Sequence, residues 1–149
     1  MGMFDALEVS GSALTAERLR MDVAAENLAN AQTTRGANGG PYRRKEVVLE
    51  QAGGFGAQLQ AAMGPRGGAA SAPSGGVRVA GIQEDGSAPR RVYDPGHPDA
   101  DGQGYVTMPN VDTVAEMVDL ITASRGYEAN VTAMQAAKQM FSKTLELLR

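Results

Sequence analysis

Three aspartates and the chain's single histidine crowd into the run DPGHPDADGQGY, Asp94 to Tyr105. Alternating oxygen ligands followed by glycine are how a calcium loop wraps its ion, and His97, Asp99, Asp101 and Gly102 spell H-x-D-x-D-G. Both anchoring positions of such a loop fail here. The first holds histidine where an oxygen donor belongs, and the twelfth holds Met108 in place of a bidentate glutamate. Zinc would need a carboxylate-rich set around one histidine, because the chain has no cysteine. For catalysis, His97 beside Asp94 or Asp99 forms half of a general-base constellation. No nucleophile accompanies it: Ser87 lacks a strand-turn-helix elbow, and neither a phosphate loop nor a dinucleotide fingerprint occurs. The remaining reading is conformational. Pro95 and Pro98 fix two φ angles, Gly96 and Gly102 admit positive φ, and aspartates accept local backbone hydrogen bonds. The chain is therefore read as a non-enzyme with no cofactor and no metal, and the run as a shaped connection.

What this connection joins follows from the rest of the sequence. The 149 residues are 42% hydrophobic but only 5% aromatic, with no tryptophan, so Ala, Leu, Val and Met must supply the burial. Fourteen basic against 17 acidic residues give a net charge of −3, which argues against a nucleic-acid partner. Arg43, Arg44 and Lys45 form the one tight basic cluster and read as a solvated strand end. No stretch approaches the ~18 consecutive apolar residues of a membrane span, so direct membrane insertion is not expected. The first residues also lack the pattern of a secretory signal, and export, if it occurs, is expected to use another route.

From about Met3 to Ala31 the composition suits helix, with Leu7, Leu14, Met21 and Leu28 repeating every seven residues. Val9, Ala13, Ala16 and Val23 form a second stripe of smaller residues beside them. Pro109, Asn110 and Asp112 supply a stop and a cap before a second helix, placed from about Thr113 to Leu148. In it Leu120, Tyr127, Met134, Phe141 and Leu148 keep a heptad spacing, with Met117, Ser124, Val131, Lys138 and Leu145 at the intervening position. Between the helices, Tyr42–Gln51, Val77–Glu84, Arg90–Tyr93 and Tyr105–Met108 read as strands. The Gly/Ala/Pro-rich tract 53–76 buries little and reads as a flexible segment or a long loop, with room for a brief helix at Ala57–Met63. The fold class predicted is mainly α with a small β-rich insertion, the long terminal helices forming a coiled-coil-like domain in an elongated subunit. Seams on more than one face of such helices demand partners, either copies of the chain or other helical proteins.

The segment AENLANAQTT, Ala25 to Thr34, resembles the N-terminal signature of bacterial flagellar rod and hook proteins, N-x-A-N-x-x-T, here Asn27, Ala29, Asn30 and Thr33. GPYRRK (Gly40–Lys45), VYDPGHPDADGQGYVTMPNVD (Val92–Asp112) and ITASRGYEANVTAMQAAKQM (Ile121–Met140) are similar to the rod members of that family, although Gly126 stands where the family often has alanine. The resemblance implies a structural subunit of the proximal rod of the flagellar basal body, part of the drive shaft and without an active site. It implies an inner coiled-coil domain, 1–34 with 110–149, around an export channel, and an outer β-rich insertion, 35–109. Implied partners are other rod and basal-body proteins, copies of the chain itself, and the flagellar type III export apparatus that delivers subunits to a rod in the periplasm. The expected assembly interface is Leu7, Leu14, Met21 and Leu28 with Met117, Leu120, Tyr127, Val131, Met134, Phe141, Leu145 and Leu148. Asn27, Asn30, Thr33, Asp94, His97, Asp99 and Asp101 are the family-motif residues, and the asparagines also have a local role open to them in ending the helix. A second reading is an adaptor binding a helical partner through the same seams, and a third a calcium-binding module.

Overall fold

The computed structural model describes residues 3–36, 39–52 and 75–147. In chain order the elements are α1 (Met3–Ala29), β1 (Lys45–Gln51), β2 (Val77–Glu84), β3 (Arg90–Tyr93), β4 (Tyr105–Met108) and α2 (Thr113–Leu147). The protein is thus mainly helical with small two-stranded sheets, and the last three strands fall on the residues their patterns predict. β1 starts three residues later than expected. The preceding Tyr42 is spent on a turn, its N–H donating to Thr33 O at 3.1 Å. The Leu148 end of the second helix and the brief helix foreseen at 57–63 lie outside the described residues.

Local chemistry sets the helix ends. Asp112 caps α2, its Oδ1 accepting from Val114 N at 2.9 Å, while Glu116 N donates to Asp112 O at 3.0 Å in the first helical turn. At the close of α1, Asn30 N and Asn30 Nδ2 both donate to Glu26 O, and Thr33 Oγ1 donates to Asn30 Oδ1 at 3.2 Å. The Asn30 carboxamide is thus a second donor on a carbonyl that the helix already satisfies, and it links the last turn of α1 to Thr33. No helix among the described residues is long and apolar enough to cross a membrane.

β1 pairs with β2, and β3 with β4. Asp85 N donates to Arg44 O beside one end of the first pair and Ala52 N to Gly76 O beside the other, so these strands run antiparallel. β3 and β4 are antiparallel in the register Arg90↔Met108, Arg91↔Thr107, Val92↔Val106 and Tyr93↔Tyr105. Alternation puts Val92 and Val106 on one face of this hairpin, with Val106 fully buried, and Arg91, Tyr93 and Tyr105 on the other.

The chain packs as two compact units. Unit 1 comprises Met1–Arg18, Val48–Gly81 and Ser124–Arg149, and unit 2 comprises Leu19–Val47 and Ile82–Ala123. In unit 1, a Cβ placed on Gly11 would rest 3.9 Å from Met134 Cε, and one on Gly126 would lie 3.3 Å from Glu17 Cδ. Positions rising along α1 thus meet positions falling along α2, an antiparallel contact with close approach at Gly126. Ser12 Oγ accepts from Val77 N at 3.0 Å and ties α1 to β2. The buried residues of unit 1 are Ala16 and Ala137 among those described. In unit 2 the core consists of Val23, Ala24, Ala31, Val106, Pro109, Val111 and Ala123, together with two polar residues, Asn27 and Glu116.

The helical repeats divide by size. On α1 the stripe of smaller residues supplies buried Ala16 and Val23, while Leu7, Leu14, Met21 and Leu28 stay half-buried. On α2 the buried positions are Glu116, Ala123 and Ala137, which share a heptad phase with half-buried Asn130. Small side chains let helices approach closely, so the chain's own contacts use alanine and leave the larger residues partly open.

Candidate functional site

Two features stand out, exposed apolar residues along α2 and a closed polar centre in unit 2. In the unit 2 part of α2, Val114 is 67% exposed, Met117 50%, Val118 56% and Ile121 51%. Their spacing, i, i+3, i+4, i+7, puts all four on one helical face. Val114 and Ile121 each lie two positions before a buried residue, Glu116 and Ala123, and two positions is ~200° of helical turn. This stripe therefore looks away from the side that packs inside the unit. In the unit 1 part of α2, Tyr127, Met140, Phe141 and Leu145 are exposed, while Val131 and Met134, like Leu120 in unit 2, are half-buried. Of the expected interface residues, Leu148 lies outside the described residues. Val114, Val118, Ile121 and Met140 extend the surface beyond the expected set. The i, i+3, i+4, i+7 spacing of Val114, Met117, Val118 and Ile121 is the sequence signal of that face.

The polar centre is built around Asn27, which is 1% exposed, and Glu116, which is 2% exposed. Asn27 Nδ2 donates to Lys45 O at 2.8 Å and to Glu116 Oε2 at 3.0 Å. Its Oδ1 accepts from Tyr42 Oη and from Lys45 N, both at 2.9 Å. The other carboxylate oxygen, Glu116 Oε1, takes Arg44 Nε at 2.6 Å, and Arg44 Nη2 also lies 3.7 Å from Asp119 Oδ2. Lys45 Nζ pairs with Glu26 nearby. Among the described residues no buried side-chain polar atom lacks a partner. The hydrogen bond from Arg44 to Glu116 holds the guanidinium protonated above its ordinary range. Burial, reinforced by the negative charges of Glu26, Glu116 and Glu84, pushes the Tyr42 hydroxyl up to about 12.

This arrangement corrects one expectation. Arg44 is not part of a solvated strand end, because a carboxylate as deeply buried as Glu116 requires a cation beside it. Arg43 is exposed, as the solvated reading would have it. Sequence reasoning named Asn27 but missed Tyr42, Arg44 and Glu116.

The Asp/His run is occupied in holding its own shape. Asp94 Oδ1 accepts from Gly96 N at 3.1 Å, and His97 Nδ1 from Asp99 N at 3.1 Å. Both Asp99 oxygens are taken, by Thr34 Oγ1 and by the Arg35 guanidinium. Asp101 Oδ1 accepts from Gln103 N and Tyr105 N, and its Oδ2 pairs with Arg91 at 2.6 Å. Those backbone donors, first among them Tyr105 N, then the arginine, hold the Asp101 carboxyl below its usual range. Gly104 has φ +78°, and a Cβ there would stand 2.9 Å from the Tyr93 ring, so the turn requires glycine. Tyr93 and Tyr105 meet edge to face at 5.3 Å across the hairpin this loop closes. The carboxylates point to separate partners, and among the described residues no three His, Asp or Glu side chains gather as a metal would require.

Comparison with known proteins locates this framework. The family described as "Flagella basal body rod protein" matches residues 7–37, which cover most of α1 and the turn after it. "Flagellar basal body rod FlgEFG protein C-terminal" matches residues 103–147, from the end of the Asp/His run through α2. The flagellar basal-body rod protein FlgC of Bacillus subtilis is 51% identical over 99% of both chains. FlgC of Escherichia coli O6:H1 is 46% identical over 99% of this chain and 98% of its own, and that of Borreliella burgdorferi 42% identical over 100% and 99%. Matches of this extent span nearly the whole chain, and on them the chain belongs to the FlgC family of flagellar basal-body rod proteins.

Proposed function

We propose that this basal-body rod protein is a structural subunit of the proximal rod, part of the shaft that carries motor torque, with its helices arranged around the export channel. The observation that carries this reading is the set of large apolar side chains left exposed on α2, with Val114, Met117, Val118 and Ile121 in unit 2 and Met140, Phe141 and Leu145 in unit 1. Fully burying a leucine or phenylalanine is worth ~1.5–3 kcal/mol, so exposed Ile121 in unit 2, and Phe141 and Leu145 in unit 1, gain most when neighbouring subunits cover them. Coiled-coil packing of 1–34 and 110–149 between subunits, with 35–109 making outer contacts, is the arrangement that uses these side chains. The partners are then copies of the chain and other rod and basal-body proteins, and the flagellar type III export apparatus delivers the subunit to the periplasmic rod.

No catalytic role is assigned, because the groups that could do chemistry are spent on turn geometry and ion pairs. The adaptor and calcium-binding readings gain no support from the relatives, all named as rod proteins. Replacing Leu14 or Phe141 with Asp is expected to abolish swimming and rod growth while export of the subunit continues. Normal motility of both variants on soft agar, with intact rods by electron microscopy, would sink this reading.

A further inference from the structure

We propose that Asn27, together with Arg44 and Glu116, is a built-in anchor that keeps unit 2 folded in the free subunit before any neighbour is present. The asparagine makes four hydrogen bonds, which use both donors and both acceptor sites of its carboxamide. Through them α1, the entry to β1 and the first turn of α2 meet at one buried point, although Asn27 and Glu116 are 89 residues apart in sequence. None of these segments can leave alone. Withdrawal of the strand entry strands the carboxamide, and withdrawal of Arg44 leaves Glu116 buried without its cation. Buried groups that depend on one another in this way order and disorder as a set.

Burial points the same way. Every buried residue among those described belongs to unit 2 except Ala16 and Ala137, two of the smallest side chains available. Among the described residues, unit 2 holds the buried valines, a proline and the satisfied polar centre. The stretches of α1 and α2 tied to the polar centre should therefore open less readily than the stretches beyond it.

The test is amide hydrogen exchange on the full-length monomeric subunit. Amides of 19–29, 45–47 and 113–123 are expected to exchange at least ~10-fold more slowly than those of 5–15 and 128–145. Equal protection along the whole of α1 and α2, or slower exchange in the outer segments, would overturn the anchor. Tyr42→Phe is the mild variant, because it removes one of the four bonds and leaves Lys45 N on the same oxygen. It should speed exchange in unit 2 by ~5-fold and leave unit 1 unchanged. Acceleration spread equally over both units, or none in either, counts against the proposal. The inference stands apart from the assembly reading, since motile Leu14→Asp and Phe141→Asp strains would leave this exchange map as it is.

Discussion

Units 1 and 2 draw on the same two helices yet close on different chemistry. In unit 1 Gly11 faces the end of Met134 and Gly126 faces the end of Glu17, and Ala16 and Ala137 are the buried residues among those described. A buried alanine methyl is worth roughly 0.8 kcal/mol. Unit 2 buries valines, a proline and a hydrogen-bonded ionic centre. The lesson is that helical length alone does not set stability along a helix. What decides it locally is whether the chain itself supplies the covering surface or leaves that to a neighbour.

The comparison is most strongly broken at Glu116. Glu116→Ala leaves the Arg44 guanidinium without its short partner and Asn27 Nδ2 short of one acceptor, and it is expected to cost ~3–5 kcal/mol in urea unfolding of the monomer. A loss below 1 kcal/mol would mean that the centre is not holding unit 2. Val106→Ala should follow at ~2 kcal/mol, as a cavity opened beneath the hairpin. Ala16→Gly in unit 1 should cost no more than ~1 kcal/mol, mostly helix propensity, so the pair measures the asymmetry directly.

Alkaline titration sharpens the contrast further. Tyr42 holds its proton to about 12 when folded, against an ordinary value of 10.0, so between these pH values the unfolded chain binds fewer protons than the folded one. Stability from this group is complete below pH 10 and is lost as pH rises through the folded value. Tyr42→Phe should flatten this limb of the unfolding curve, and an unchanged slope would rule the hydroxyl out as its cause. The smallest effect is expected at Gly126. Alanine there gains helix propensity but places a methyl 3.3 Å from Glu17 Cδ, at the movable end of that side chain, so a net gain under ~1 kcal/mol is expected in thermal melts. A loss would show that Glu17 cannot yield.

Much of the fold was legible in the sequence because its signals are local. Asp112 before an apolar run marks a capped helix start, and Arg90–Tyr93 and Tyr105–Met108 alternate as hairpin strands do. The surface was legible in part, since the leucine and methionine repeats are conspicuous by size. What escaped was the closed side. Ala123 and Ala137 look neutral in any pattern weighted by large residues, and Glu116 in the same phase reads as a solvent position. Only the partner identifies it, and Arg44 is 72 residues away in a cluster whose neighbour Arg43 does face solvent. Periodicity reports which side chains share a face, but not which charges that face encloses.

The four bonds of Asn27 have a consequence for how freely the sequence can drift. Aspartate offers no donors there and sets a second negative charge against Glu116, glutamine pushes the amide out of register by a methylene, and serine cannot span to strand and helix together. The position has one chemical solution. The open stripe of Val114, Val118 and Ile121 has many, since any side chain of similar bulk and polarity leaves the unit's interior untouched. Change can therefore accumulate on the outer face of α2, altering what the helix fits against, while the hidden centre holds a single answer.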